Sequence, residues 1–280
     1  LEFRRVLFRS IENMRILTKS DNLVKTALKE NRLLFYFQPI YSIKEKCFSA
    51  MEAFLRMTDY EGNFIPPSLF VPLAERNGSI IELGNALVKY VCNEFSKRQF
   101  QKLGIHNIAL NLSVTESLQD NFVSFISRTA KNFDIPNECF NFEIKEISSG
   151  KLSETFEKNI TKLTDEGFKL SLDNFGGGHL FLHTIMDFPI NAIKINRSIA
   201  IPALSGEKNS RFLFESCLDM AHQVGKKVVV QGIETKEMAL EAVKLNIDYI
   251  QGYYFAKPMP IEEFEEFIKS QREKSTAILP

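Results

Sequence analysis

Short apolar runs alternate with longer amphipathic stretches along almost the whole chain. The runs at residues 33–40, 48–57, 107–113, 140–146, 169–173, 192–196, 227–233 and 249–255 are rich in aromatic and β-branched residues and read as strands. Between them, apolar residues recur at helical spacing. Ile80, Leu83, Leu87, Tyr90 and Val91 mark one helix, and Phe122, Phe125, Ile126 and Phe133 another. Further helices are expected at 21–32, 68–76, 153–166, 179–187, 236–245 and through Phe264, Phe267 and Ile268. In a helix at 209–224, Leu213, Cys217, Met220 and Val224 are expected to face inward.

Alternation of strand and helix at this spacing implies a mostly parallel sheet. Eight such units in about 250 residues make an α/β fold of the (βα)8 TIM-like barrel type. The first two strands break the pattern: roughly seven residues separate them, too few for a crossover helix, so the first strand is expected to be antiparallel. Residues 21–272 are read as one barrel domain, 1–20 as a leader or linker and 273–280 as a tail.

Composition narrows the function only by exclusion. The 280 residues are 44% hydrophobic and 25% charged, and Lys+Arg equals Asp+Glu at 35 each. That balance gives no reason to expect DNA or RNA as a partner. No apolar run approaches the roughly 20 residues of a membrane span. Cys47, Cys92, Cys139 and Cys217 form no CxxC pair and read as reduced core thiols of a cytoplasmic protein. The 25 phenylalanines read as core packing. His179 and His183 are four residues apart but lack the glutamate of an HExxH zinc site.

The informative residues are polar ones set into apolar strands: Gln38, Glu52 with Arg56, Asn111, Glu143, Asp173 with Asn174, Lys194 with Asn196, Gln231 with Glu234, and Gln251. A carboxylate inside an apolar strand is costly unless paired or coordinated. Any one of them reads as a strand-end residue facing solvent; so many at one rim of one barrel read as a site. Glu52, Asn111, Glu143 and Asp173 form an all-oxygen set suited to Mg²⁺, Mn²⁺ or Ca²⁺. With Lys194 and Arg56 beside them, that set suggests phosphodiester chemistry.

These motifs carry a resemblance. The chain resembles the EAL-domain family, the bacterial phosphodiesterases that linearise cyclic di-GMP. Gln38-Pro-Ile matches QPI, and Glu52-Ala-Phe-Leu-Arg56 stands at EALLR. Asn111-Leu-Ser matches NLS, and Glu143-Ile-Lys-Glu146 stands at EITE. Lys194-Ile-Asn stands at KID, Gln231-Gly-Ile-Glu234 at EGVE and Gln251-Gly-Tyr at QGY. The resemblance implies substrate contacts from Gln38, Arg56 and Gln251, catalytic roles for Lys194 and Glu234, and one Mg²⁺ or Mn²⁺ on Glu52, Asn111, Glu143 and Asp173. Ca²⁺ would be a non-catalytic occupant. An upstream regulatory or GGDEF-type domain and a homodimer are also implied.

Two departures matter. The family's second metal is shared by the aspartate at position 173, an aspartate at the next position and the glutamate that activates water. Here the last two are Asn174 and Gln231, and the aspartate of KID is Asn196. An amide keeps the shape of a carboxylate but loses its charge and its proton-accepting capacity. The glycine turn also reads Asn174-Phe-Gly-Gly-Gly-His-Leu-Phe181 in place of DFGTGYSS. The expectation is a degenerate domain that binds cyclic di-GMP as a signalling receptor. The alternatives are a working metal-dependent phosphodiesterase releasing the linear dinucleotide, and a protein-interaction scaffold that has lost nucleotide.

Overall fold

A computed structural model of the chain describes residues 23–145, 153–177, 185, 188–273 and 279. In chain order its strands are β1 (Leu33–Ser42), β2 (Cys47–Thr58), β3 (Phe64–Ile65), β4 (Asn107–Leu112), β5 (Phe140–Lys145), β6 (Lys169–Phe175), β7 (Ala192–Ile195), β8 (Lys227–Gln231), β9 (Tyr249–Gln251) and β10 (Met259–Pro260). Eight of them close a barrel in the order β1-β2-β4-β5-β6-β7-β8-β9, with β9 returning to β1. β1 runs antiparallel to both neighbours, and the remaining barrel pairs are parallel. Residues 43–46 alone join β1 to β2, so the expected antiparallel start is found. The two-residue strands β3 and β10, which the apolar pattern does not reveal, extend β2 and β1.

Among the described residues, helices precede the parallel strands where a crossover is needed: Ile80–Lys97 before β4, Phe122–Asn132 before β5, Glu154–Asp165 before β6, Lys208–Gln223 before β8 and Lys236–Lys244 before β9. The helix expected at 179–187 lies, Ile185 aside, outside the described residues, as do Asp21, Glu146, Gly178, His179, His183, residues 1–20 and most of the tail. The helix Lys208–Gln223 corrects one expectation. Its buried stripe is Phe214, Cys217, Leu218 and Ala221, spaced i, i+3, i+4, i+7, whereas Leu213 and Val224 are 50% and 47% exposed. Burying the large Phe214 ring sets the helix rotation and turns its neighbour Leu213 outward.

Most phenylalanines pack between strands and helices, as in the group Phe122, Phe140, Phe142 and Phe168. All four cysteines are free; Cys92, Cys139 and Cys217 are core thiols, and burial pushes Cys92 up to about 12. Cys47 is exposed, because it opens β2 at the hairpin rather than pointing into the core.

The strand expected over 249–255 stops at Gln251. There the chain turns to let the backbone of Ile233 approach. Ile233 N donates to Gln251 O (3.1 Å), and Tyr254 N donates to Ile233 O (2.9 Å). A Cβ on Gly252 would stand 2.0 Å from Ile233 O and 2.3 Å from Ile233 N, so only glycine fits. Gly252→Ala is therefore expected to lower unfolding free energy by about 2–4 kcal/mol, measured by urea denaturation. A loss under about 0.5 kcal/mol, the range of an unremarkable surface change, would show that this approach is not tight.

Candidate functional site

At the carboxyl ends of the parallel strands a cleft of about 730 Å³ opens. Gln38, Glu52, Arg56, Asn111, Asp173, Gln231, Glu234 and Gln251 line it. Of the four remaining members of the expected set, Glu143 and Lys194 are each 1% exposed beneath it, and Asn174 and Asn196 lie outside its lining. Each strand contributes because its last turns carry a polar residue on the inward side of the pleat. In register, Glu52 faces Gln38 across β1–β2, Asn111 faces Glu143 across β4–β5, and Gln231 faces Gln251 across β8–β9.

The centre is a buried ion cluster. Lys194 Nζ donates to Glu143 Oε2 (2.6 Å) and Glu52 Oε2 (2.9 Å). Asn111 Nδ2 donates to the other oxygen of Glu52 (3.2 Å). Gln251 Nε2 donates to Glu52 Oε2 (3.0 Å) and to Gln38 Oε1 (2.9 Å), while Gln38 Nε2 donates to Ala256 O (2.9 Å). Burial alone would lower the Lys194 ammonium, but the charges of Glu143, Glu52 and Asp173 more than offset it and hold it above its ordinary value. Glu143 is held well above the usual carboxylate range by burial and then by the charge of Glu52, and burial likewise raises Asp173.

Whether these residues fit a metal ion can be tested on charge and donors. Three carboxylates face one ammonium, so the cluster carries excess negative charge in a buried place. Gln251 Oε1 is buried without a hydrogen-bond partner. Oxygen donors with uncompensated charge suit one hard divalent cation. Among the described residues, however, no three carboxylate, histidine or cysteine side chains stand as a metal-holding group. In this structure the Lys194 ammonium bridges Glu52 and Glu143 itself.

A strand irregularity shapes the other side. Leu172 pairs with Ile193 and Phe175 with Ile195, so Asp173 and Asn174 together span the single residue Lys194. Such a bulge re-aims side chains at a strand end. Asn174 takes the left-handed conformation (φ 64°) that asparagine and aspartate tolerate better than most residues. Its Oδ1 accepts a hydrogen bond from Asn196 Nδ2, and Asn196 Oδ1 accepts from Ser198 N (2.7 Å) to cap the helix Arg197–Leu204. Two amides therefore meet where the resemblance expects two carboxylates. Gln231 and Glu234 line the cleft apart from the hydrogen bonds of the central cluster, and Arg56 Nη1 donates to Leu55 O (3.0 Å) with its guanidinium against the Phe54 and Tyr36 rings.

One cleft residue escapes the strand-end reasoning. Glu116 closes a capping box with Ser113, and burial pushes its carboxyl up to about 7. The Ser-x-x-Glu spacing at Ser113–Glu116 is the sequence signal for it.

The fold and this oxygen-rich mouth define a closed α/β barrel with its polar residues gathered at one rim. The family model for the EAL domain matches residues 21–258, and the chain belongs to the EAL-domain family. It is 27% identical over 252 residues to the signaling protein YkoW of Bacillus subtilis, a match covering 90% of this chain and 31% of that protein. It is 29% identical over 235 residues to the cyclic di-GMP phosphodiesterase PdeA of Borreliella burgdorferi, covering 84% of this chain and 35% of that one. The chain thus spans about a third of the length of these two relatives. In structure it resembles the EAL enzyme Bd1971 in its cAMP- and cyclic di-GMP-bound form, with TM-score 0.82 and 23% identity over 95% of this chain and 73% of that one.

Two outcomes follow for the cluster. Lys194→Met leaves Glu52 and Glu143 buried against each other and is expected to cost about 3–5 kcal/mol of stability; adding Glu143→Gln should recover part of it, both read by urea denaturation. For Glu116, the folded value near 7 lies above the ordinary 4.5. Between those values the folded state holds a proton that the unfolded chain releases, so stability falls as pH rises through the window. Glu116→Gln should flatten that part of the melting-temperature profile and leave the slope below pH 4 unchanged.

Proposed function

We propose that this chain is a cyclic di-GMP-binding EAL domain whose hydrolytic machinery is incomplete, so that it acts as a receptor module with little or no phosphodiesterase activity. Binding is supported by the retained Gln38, Arg56, Asn111, Glu143, Asp173, Lys194 and Gln251, by the cyclic di-GMP phosphodiesterase name of its Borreliella relative and by the cyclic di-GMP-bound state of the Bd1971 structure. One Mg²⁺ or Mn²⁺ would be held by Glu52, Asn111, Glu143 and Asp173 and would supply positive charge to a phosphate oxygen. Ca²⁺ suits the same oxygen donors without supporting turnover.

The observation that carries the loss of turnover is the amide pair at the bulge. Asn174 and Asn196 bond to each other, and Gln231 stands at the position that should activate water. A second ion would find only Asp173 of its three protein carboxylates. Hydrolysis in line with the leaving oxygen needs a water deprotonated near neutral pH and charge stabilisation at both oxygens. Amides supply neither, and losing a metal or general base lowers rates by orders of magnitude. In this reading the domain lies in the cytoplasm, receives or passes a signal through an upstream regulatory or GGDEF-type domain, and pairs as a homodimer. No helix among the described residues is long and apolar enough to cross a membrane.

Calorimetric titration with cyclic di-GMP in the presence of Mg²⁺ or Ca²⁺ is expected to give a Kd on the order of tens of micromolar or tighter. Loss of binding in Arg56→Ala is expected alongside, and no heat from the unaltered protein would end the reading. Asn174→Asp with Gln231→Glu should raise turnover to the linear dinucleotide at least about tenfold with Mg²⁺ or Mn²⁺. The design is compatible with its surroundings, because aspartate tolerates the left-handed backbone and still accepts from Asn196 Nδ2.

A further inference from the structure

Glu116 lines the cleft, yet neither the ion cluster nor the substituted positions account for it. Its Oε2 accepts from Ser113 N (3.0 Å) and from Ser113 Oγ (2.5 Å), and Ser113 Oγ accepts from Glu116 N (3.2 Å). This box caps the single-turn helix Val114–Ser117. Ser113 comes two residues after Asn111, at the point where β4 ends, so the cap fixes the path along which β4 leaves the barrel. The far end of the turn is held separately: Asn159 Nδ2 donates to Ser117 O (2.7 Å) and Gln119 O (3.2 Å).

The other oxygen of Glu116 lies against Gly84, inside the 18-residue helix Ile80–Lys97. A Cβ on Gly84 would stand 1.7 Å from Glu116 Oε1 and 2.8 Å from its Cδ. Glycine in a helix interior is unfavourable relative to alanine. Here it leaves a notch that the carboxyl group fills. Contacts run from Gly84 through Glu116 to Ser113, the backbone joins Ser113 through Leu112 to Asn111, and Asn111 in turn bonds Glu52 in the ion cluster.

We propose that Glu116, seated in the notch at Gly84, is a positioning residue that sets where Asn111 meets the ligand cleft and thereby tunes affinity for the phosphodiester ligand. The ligand side of this proposal rests on the cyclic di-GMP reading above. A group that merely fills space would be replaceable by any side chain that keeps the fold. A positioning group is replaceable only by one that still accepts from Ser113.

The test combines four variants with two readouts: cyclic di-GMP affinity with Mg²⁺, and amide hydrogen exchange over residues 111–117 of the ligand-free protein. Glu116→Ala should weaken affinity roughly tenfold, as expected for a lost cap, and speed exchange. Glu116→Gln, whose amide oxygen still accepts from Ser113, should stay within about twofold of the unaltered protein. Gly84→Ala should weaken affinity as much as Glu116→Ala despite its better helix propensity. The double variant Gly84→Ala/Glu116→Ala should be no worse than either single one, since the displaced group is gone. Unchanged exchange and affinity in Gly84→Ala would overturn the proposal, as would additive losses in the double variant or Glu116→Gln failing as far as Glu116→Ala. If the unaltered protein binds no cyclic di-GMP, the functional reading fails, and the exchange measurements alone still decide the Gly84–Glu116–Ser113 linkage.

Discussion

Lys194 shares its ammonium between Glu52 and Glu143 inside the barrel, all three almost wholly out of water. Removing charges from water costs several kcal/mol per ion, and mutual attraction repays it only when geometry and additional hydrogen bonds are good. Asn111 and Gln251 supply such bonds to Glu52, and Gln38 and Ala256 support Gln251 behind it. The balance is still incomplete. Three acids stand around one base, and this imbalance supports the proposed cation and, beside it, an anionic ligand. Residues on β1, β2, β4, β5, β6, β7 and β9 must hold their register for the cluster to exist, so the hairpin start, the closed sheet and the tight approach at Gly252 all serve it.

In the proposed reading, binding and turnover rest on different residues. Those that would hold a phosphodiester lie on β1, β2, β4, β5, β6, β7 and β9; those that would activate water lie on the bulge after Asp173 and at the end of β8. Only the second group is changed to amides. Asn174 and Asn196 are bonded to each other, with Asn196 also capping the next helix, so the two positions are satisfied locally and do not wait for an ion. Carboxylates at both positions would repel one another without one. The substitutions thus leave a bulge that is stable by itself, at the expense of the charge a second cation requires.

Much of this was legible in the chain. Alternating apolar runs and amphipathic stretches gave the barrel, the short link after Ser42 gave the antiparallel start, and polar residues inside apolar strands located the mouth. Four features were not legible, each for a physical reason. Leu213 lies one residue off the buried stripe and Val224 just past the last residue of the helix, because periodicity shows that a stripe exists but the largest ring, Phe214, fixes its rotation and the helix end cuts it short. β9 ends early because a contact with Ile233, distant in sequence, stops it. The bulge at Asp173–Asn174 depends on pairing with β7, and the seat of Glu116 depends on Gly84 across a helix; neither partner is near in sequence.

The most direct measurement is a single-turnover incubation, with the protein in excess over cyclic di-GMP, Mg²⁺ or Mn²⁺ present and the nucleotide analysed over hours. Every nucleotide is then bound, so slow capture cannot mask slow chemistry. The cyclic dinucleotide should be recovered intact, while equilibrium dialysis at a protein concentration above the Kd holds it on the protein side. Linear dinucleotide accumulating within minutes would contradict the proposal that Asn174 and Gln231 have uncoupled binding from hydrolysis.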